Sequence, residues 1–169
     1  MSPLILAISF FFHLVATVVW IGGLVVITLL VWPEMRRALD GSSPALVALL
    51  ARLRHRFVPW SNFSLVVLVV TGLAQMTADP NYDGLLVIDN EWTRAMLLKH
   101  LAIAGMVVCG LVLQYGVTPA LERAGLLLER GKGDPAEWER LRRHEVRLTQ
   151  LNLLLGVAVL GFTAWATAL

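Results

Sequence analysis

The sequence predicts an all-α integral membrane protein, a four-helix up-down bundle in which two helical hairpins repeat about a pseudo-twofold axis. Three observations predict this fold: an apolar composition, four long uncharged blocks, and an internal repeat. Of 169 residues, 57% are hydrophobic and only 15% are charged. Soluble domains have roughly 45–50% apolar and about 25% charged residues. The composition therefore favours a protein that lies in a bilayer.

Four blocks without Asp, Glu, Lys or Arg account for the apolar excess. Each block can cross about 30 Å of hydrocarbon, which takes roughly 20 helical residues. Because no water reaches the bilayer core, the backbone there must form its hydrogen bonds within helices. We expect a single transmembrane domain of residues 1–169 with spans at about 3–33, 56–78, 92–118 and 146–168, and cytoplasmic helical extensions at about 44–55 and 135–145.

The basic residues are unevenly distributed between the connections. Twelve of the fourteen Lys and Arg lie in or beside the first and third connections, and the other two, Arg94 and Lys99, begin the third span. Lys and Arg mark cytoplasmic loops. The pattern predicts a multi-pass protein of a bacterial-type inner (cytoplasmic) membrane, with both termini on the periplasmic side. Since the bilayer explains the positive charge, we expect the lipid bilayer as a partner and no nucleic acid.

The two hairpins resemble each other in sequence. The aligned pairs share residue type and depth: His13 with His100, Gly23 with Gly110, Pro33 with Pro119 after a one-residue slip, and His55 with His144. Such a repeat of two hairpins with the same orientation predicts a pseudo-twofold axis along the membrane normal.

His13 and His100 are predicted at nearly the same depth, because they precede Pro33 and Pro119 by 20 and 19 residues. At 1.5 Å per residue, both lie roughly 28–30 Å from the cytoplasmic ends of their helices. Intramembrane ionisable residues usually face the protein interior and are functional. Two facing imidazoles could supply both axial ligands of a haem iron. Our leading hypothesis is therefore a haem b-binding protein, a cytochrome b-like electron carrier or redox subunit.

Other residues complete this haem hypothesis. Lys99 is a candidate contact for a haem propionate, and Gly23 and Ala104 would leave room for a flat macrocycle. His55 and His144, at the cytoplasmic interface, are candidate ligands of a second haem, although histidines among arginines are more often solvated. If the protein is an enzyme, it would be a haem-dependent membrane oxidoreductase with a redox partner.

Two alternatives remain open. Met96 and His100 are four residues apart on one helix face, and His13 lies at their depth. Methionine sulfur with imidazole suits Cu(I), so these three residues are the candidate metal ligands of a copper transport or resistance protein. The other alternative is a cofactor-free structural subunit of a larger membrane complex, in which the histidines only pack between helices.

Three segments resemble the copper resistance protein D family: His13-Leu-Val-Ala-Thr-Val-Val-Trp20-Ile-Gly22-Gly23, then Arg56-Phe57 leading to Val70-Thr71-Gly72-Leu73, and Trp92 to Lys99 with the run Met-Leu-Leu-Lys. The resemblance covers most of residues 10–120, whereas the final helix is generic. It implies copper import or resistance. Related membrane protoporphyrinogen oxidases share the helix-one His and helix-three Lys, and imply haem b. His100 directly after Lys99 departs from the copper proteins, where an apolar residue is commoner, and this favours haem.

Overall fold

The structure, a computed structural model, describes residues 2–31, 44–82, 84 and 87–169. The predicted end of the first span, at residues 32–33, lies outside them, as does the first part of the connection that follows. All regular secondary structure in the described residues is helical. The four helices are α1, Pro3–Leu30; α2, Pro44–Met76; α3, Glu91–Leu128; and α4, Pro135–Thr167.

Each helix contains a segment long and apolar enough to cross a membrane: Pro3–Leu30, His55–Met76, Glu91–Leu128 and Pro135–Thr167. Large apolar side chains, among them Leu4, Phe11 and Leu154, are exposed along these segments. In water, contiguous exposed apolar surface of this extent is a liability, whereas lipid is an equally apolar solvent. The prediction of an all-helical, multi-pass membrane protein with four spanning helices is confirmed.

Local sequence signals set where α3 and α4 begin. The backbone N–H of Thr93 donates to Asn90 Oδ1 at 2.7 Å, and Asn90 N–H donates to Thr93 Oγ1 at 3.3 Å. This reciprocal pair caps α3 and satisfies two backbone donors that a helix end leaves free. At α4, the Asp134 carboxylate accepts from Ala136 N–H at 2.9 Å, and Pro135 occupies the first helical position. Both connections therefore end where a side-chain cap begins the next helix.

Helices α1 and α3 contain π-helical turns. Val18–Gly22 lies within α1, Ile27–Val31 runs from its last turn to one residue beyond it, and in α3 the turn is Val112–Val117. Pro119 follows the α3 turn and lacks the N–H that would close the preceding α-helical turn. When the chain is aligned through Pro33 and Pro119, the second turn of α1 falls on the turn of α3. The two helices thus widen at positions that the predicted repeat makes equivalent.

The chain forms two compact units, Met1–Val87 and Ile88–Leu169, and each contains one helical hairpin. In the first unit α1 packs on α2. The ring of Phe57 lies against Gly23, where a Cβ atom would collide with it. Ala16 and Ser64 are buried in the same unit. Small residues thus allow these helices to approach each other closely, as is typical of membrane helix pairs.

In the second unit α3 packs on α4. Gly105 receives Leu155, whose Cδ1 would lie 3.1 Å from a Cβ atom at that glycine. Met106 is 1% exposed, and Asn152 and Glu145 are buried polar residues of α4. The side of α4 that faces α3 therefore combines small, apolar and polar residues.

We expect the substitution Gly23→Ala to lower the thermal midpoint of the detergent-purified protein. The new Cβ would overlap the Phe57 ring, and overpacking of this kind costs about 1–3 kcal/mol. Gly22→Ala is the matched control, because a Cβ there meets no described atom within 4 Å and alanine favours a helix. Thermal melts followed by circular dichroism measure both midpoints. Equal midpoints for the two variants would contradict the packing argument.

Candidate metal-binding site

The half-buried His13 of α1 contacts α2 within the first unit. Its Nδ1 lies 2.8 Å from Thr71 Oγ1, and that hydroxyl donates to the Val67 carbonyl oxygen at 2.6 Å. A hydroxyl has a single proton, so Thr71 Oγ1 accepts from His13 rather than donating to it. The imidazole therefore carries its proton on Nδ1 and its lone pair on Nε2, the nitrogen that can bind a metal.

Further polar groups lie one helical turn from the His13–Thr71 contact, toward the N-terminal end of α1 and the C-terminal end of α2. Ser9 Oγ donates to the Thr71 carbonyl oxygen at 3.4 Å, and Gln75 Nε2 donates to Ser9 Oγ at 3.4 Å. Sequence analysis did not identify Ser9, Thr71 or Gln75 as site residues. Their spacing could have revealed them, because Ser9 and His13, like Thr71 and Gln75, are four residues apart and share a helix face.

His100 of α3, in the second unit, has the same tautomer for a different reason. Its Nδ1 lies 2.6 Å from the carbonyl oxygen of Met96, one turn earlier in the helix. A carbonyl oxygen only accepts, so Nδ1 is the donor and Nε2 carries the lone pair. The His100 side chain is exposed and that of Met96 is half-buried. Metal-binding histidines typically anchor the other ring N–H on an oxygen in this way.

The remaining predicted site residues differ in their surroundings. Lys99 is half-buried in α3, whereas Ala104, His55 and His144 are exposed. His13 and Gly23 belong to the first unit, and the candidate residues from Met96 onward belong to the second.

The donor atoms indicate which metals could bind. Among the described residues, no three His, Cys, Asp or Glu side chains come together. Structural zinc sites take four such ligands and catalytic zinc sites take three. The one cysteine, Cys109, is buried in the second unit. In the second unit, Met96 and His100 place a thioether and an imidazole one turn apart on α3, a combination suited to Cu(I).

Comparison with protein families gives a match to one described as copper resistance protein D, over residues 51–166. The chain belongs to the copper resistance protein D family. The match includes the final helix, which seemed generic in sequence analysis, and it begins after α1. Met96 and His100 therefore lie inside the matched region and His13 precedes it. Searches of curated proteins and of solved structures give no match.

The family overturns the leading hypothesis from the sequence, so the prediction of a haem b-binding, cytochrome b-like electron carrier is wrong. No comparison links the chain to haem b or to membrane protoporphyrinogen oxidases. The Phe57 ring fills the space predicted for a macrocycle at Gly23, and Ala104 is exposed. Imidazole binds copper as well as iron, so a histidine after Lys99 does not indicate haem.

The other predicted haem contacts lose their basis with this correction. They are Lys99, predicted to contact a propionate, and His55 and His144, predicted to bind a second haem.

We expect Thr71→Val to change the tautomer of His13, because valine has the shape of threonine without the acceptor oxygen. Thr71→Ser, the matched control, keeps that oxygen and should keep the Nδ1-protonated form. The measurement is ¹⁵N NMR of protein labelled at histidine, with the exposed His55 and His144 as internal references. If the His13 signals in Thr71→Val stayed at their wild-type positions, Thr71 would not determine the tautomer.

Proposed function

We propose that the protein is a membrane copper transport or resistance protein, which binds copper within the bilayer and passes it between the two sides. The match of residues 51–166 to the copper resistance protein D family carries this proposal. Copper is the cargo rather than a resident cofactor. Transport requires a site that binds the ion well enough to admit it and weakly enough to release it. A few nitrogen and sulfur donors meet this requirement better than a closed four-ligand cage.

The proposed copper ligands are His13 in the first unit and, separately, Met96 and His100 in the second. The tautomers support this assignment, since both histidines have Nδ1–H bonded to oxygen and the lone pair on Nε2. Met96 is four residues before His100, so its sulfur lies on the same helix face. Thioether and imidazole donors favour Cu(I). The ion would therefore bind in its reduced state.

The proposed orientation brings copper in from the periplasmic side of an inner membrane. Positive charge supports cytoplasmic positions for the α1–α2 and α3–α4 connections. In this orientation both termini and the α2–α3 connection face the periplasm. His13 and His100 then lie in the outer half of the bilayer, where an ion from the periplasm would first meet them.

Labelling of single cysteines tests the orientation. In a Cys109→Ser background, we expect Asn81→Cys, between α2 and α3, to react with a membrane-impermeant maleimide in intact spheroplasts. Lys132→Cys, between α3 and α4, should react only after lysis, because the proposed orientation puts this connection in the cytoplasm. Both native side chains are exposed, so access across the membrane and not burial would determine labelling. The reverse labelling pattern would contradict the proposed orientation.

Copper binding tests the function directly. We expect the wild-type protein in proteoliposomes to bind Cu(I) and to carry it into the lumen, measured by elemental analysis with ascorbate as reductant. His13→Ala and His100→Ala should each weaken binding at least about tenfold, because even the loss of a supporting group around a metal costs 10–100-fold.

His55→Ala and His144→Ala are the matched controls, since both side chains are exposed and neither is a proposed copper ligand. They should retain wild-type binding. A wild-type protein that neither binds nor transports copper would overturn the proposed function, and equal losses in all four variants would overturn the ligand assignment.

A further inference from the structure

A cavity of about 350 Å³ lies between α3 and the first turn of α4, within the second unit. This volume is at the lower end of those that hold small molecules in proteins. The α3 wall is a single helical face, because its residues recur at intervals of three and four along the helix. The residues that line the cavity are Ala120, Arg123, Ala124 and Leu127 of α3 and Glu137 of α4.

The two walls of this cavity carry opposite charges, Arg123 on α3 and Glu137 on α4. Both side chains are exposed, and neither forms an ion pair or a hydrogen bond with any described residue. A glutamate at the third position of a helix often bonds back to the cap. Here Asp134 caps α4 through the N–H of Ala136, and the Glu137 carboxylate lines the cavity instead. Both charges are therefore available to one ligand.

The cavity lies at the level of the lipid head groups. Glu137 and Trp165 are 28 residues apart in the uninterrupted α-helix of α4, which corresponds to about 42 Å. A bilayer with its head groups is about 40–45 Å thick. Tryptophan is enriched at both membrane surfaces, so Trp165 at one surface puts Glu137 at the other. Trp138, which follows Glu137 and lies beneath the Arg142 guanidinium at 4.9 Å, fits this placement.

The two charges distinguish between classes of head group. A guanidinium donates to phosphate oxygens, and a carboxylate accepts from a primary ammonium. A head group with a phosphate and a primary ammonium therefore satisfies both walls. An anionic head group without an ammonium would be repelled by Glu137, and a trimethylammonium has no N–H to donate to it. The small side chains of Ala120 and Ala124 leave room for the ligand, and Leu127 offers apolar surface to its glycerol end.

We propose that this cavity binds the phosphoethanolamine head group of a membrane phospholipid, with its phosphate on Arg123 and its ammonium on Glu137. The inference goes beyond the proposed copper function and does not depend on it. In the proposed orientation the lipid would belong to the cytoplasmic leaflet. It would join the end of α3 to the beginning of α4 at the membrane surface.

Lipid titration of the full-length protein, followed by native mass spectrometry, tests this site. The probes are phosphatidylethanolamine and phosphatidylcholine with identical acyl chains, which differ only in the ammonium. We expect the wild type to bind phosphatidylethanolamine about threefold more tightly, as an exposed ion pair allows. Glu137→Gln should weaken only phosphatidylethanolamine, so that the two lipids bind equally. Arg123→Gln should weaken both lipids, because both contain the phosphate.

Glu122→Gln and Arg130→Gln are the matched controls, since both native side chains are exposed charges outside the cavity lining. They should retain the wild-type preference. A wild type without preference, or a preference that persists in Glu137→Gln, would overturn the site. Equal losses in the controls would show that general surface charge holds the lipid, which would also overturn it.

Free phosphoethanolamine distinguishes a lipid from a soluble ligand with the same charged groups. At the concentration of the lipid it should not displace phosphatidylethanolamine from the wild type, because it lacks the glycerol and acyl chains. Displacement at equal concentration would assign the cavity to a soluble ligand and overturn the lipid assignment.

Discussion

The absence of water from the hydrocarbon core determines most of this structure. A polar group there must find a partner within the protein, which is why the chain crosses the membrane only as helices. The hydroxyls of Thr17, Thr28 and Thr163 follow the same rule and donate to carbonyl oxygens one turn back. Thr71 does so too, and a lone pair of its hydroxyl oxygen accepts from His13 Nδ1–H. The requirement that stabilises the helix therefore also orients the imidazole.

The two hairpins arrive at the same histidine tautomer by different means. In the first unit a hydroxyl from the neighbouring helix anchors the ring, whereas in the second a carbonyl of the same helix does so. The orientation of His13 thus depends on the packing of α1 against α2, and that of His100 only on an intact α3. Copper binding at His13 would be the more sensitive of the two to changes in helix packing.

A copper cargo, as proposed, would require little space around the histidines. A haem requires a slot as large as the macrocycle, and the Phe57 ring occupies the position at Gly23 where the sequence suggested one. A copper ion requires only a few donor atoms within bonding distance. Interfaces as close as those of Gly23 with Phe57 and Gly105 with Leu155 are compatible with such an ion.

The sequence by itself determined the membrane class, the four spanning helices and the approximate starts of α3 and α4, because hydrophobic length and capping act locally. It also determined the Met96–His100 pair, since four residues make one helical turn. Only the tertiary structure decided the partner of His13, because Thr71 is 58 residues away. It also showed that the Phe57 ring occupies the space at Gly23. A small residue predicts room, but helix packing lets a neighbouring side chain fill it.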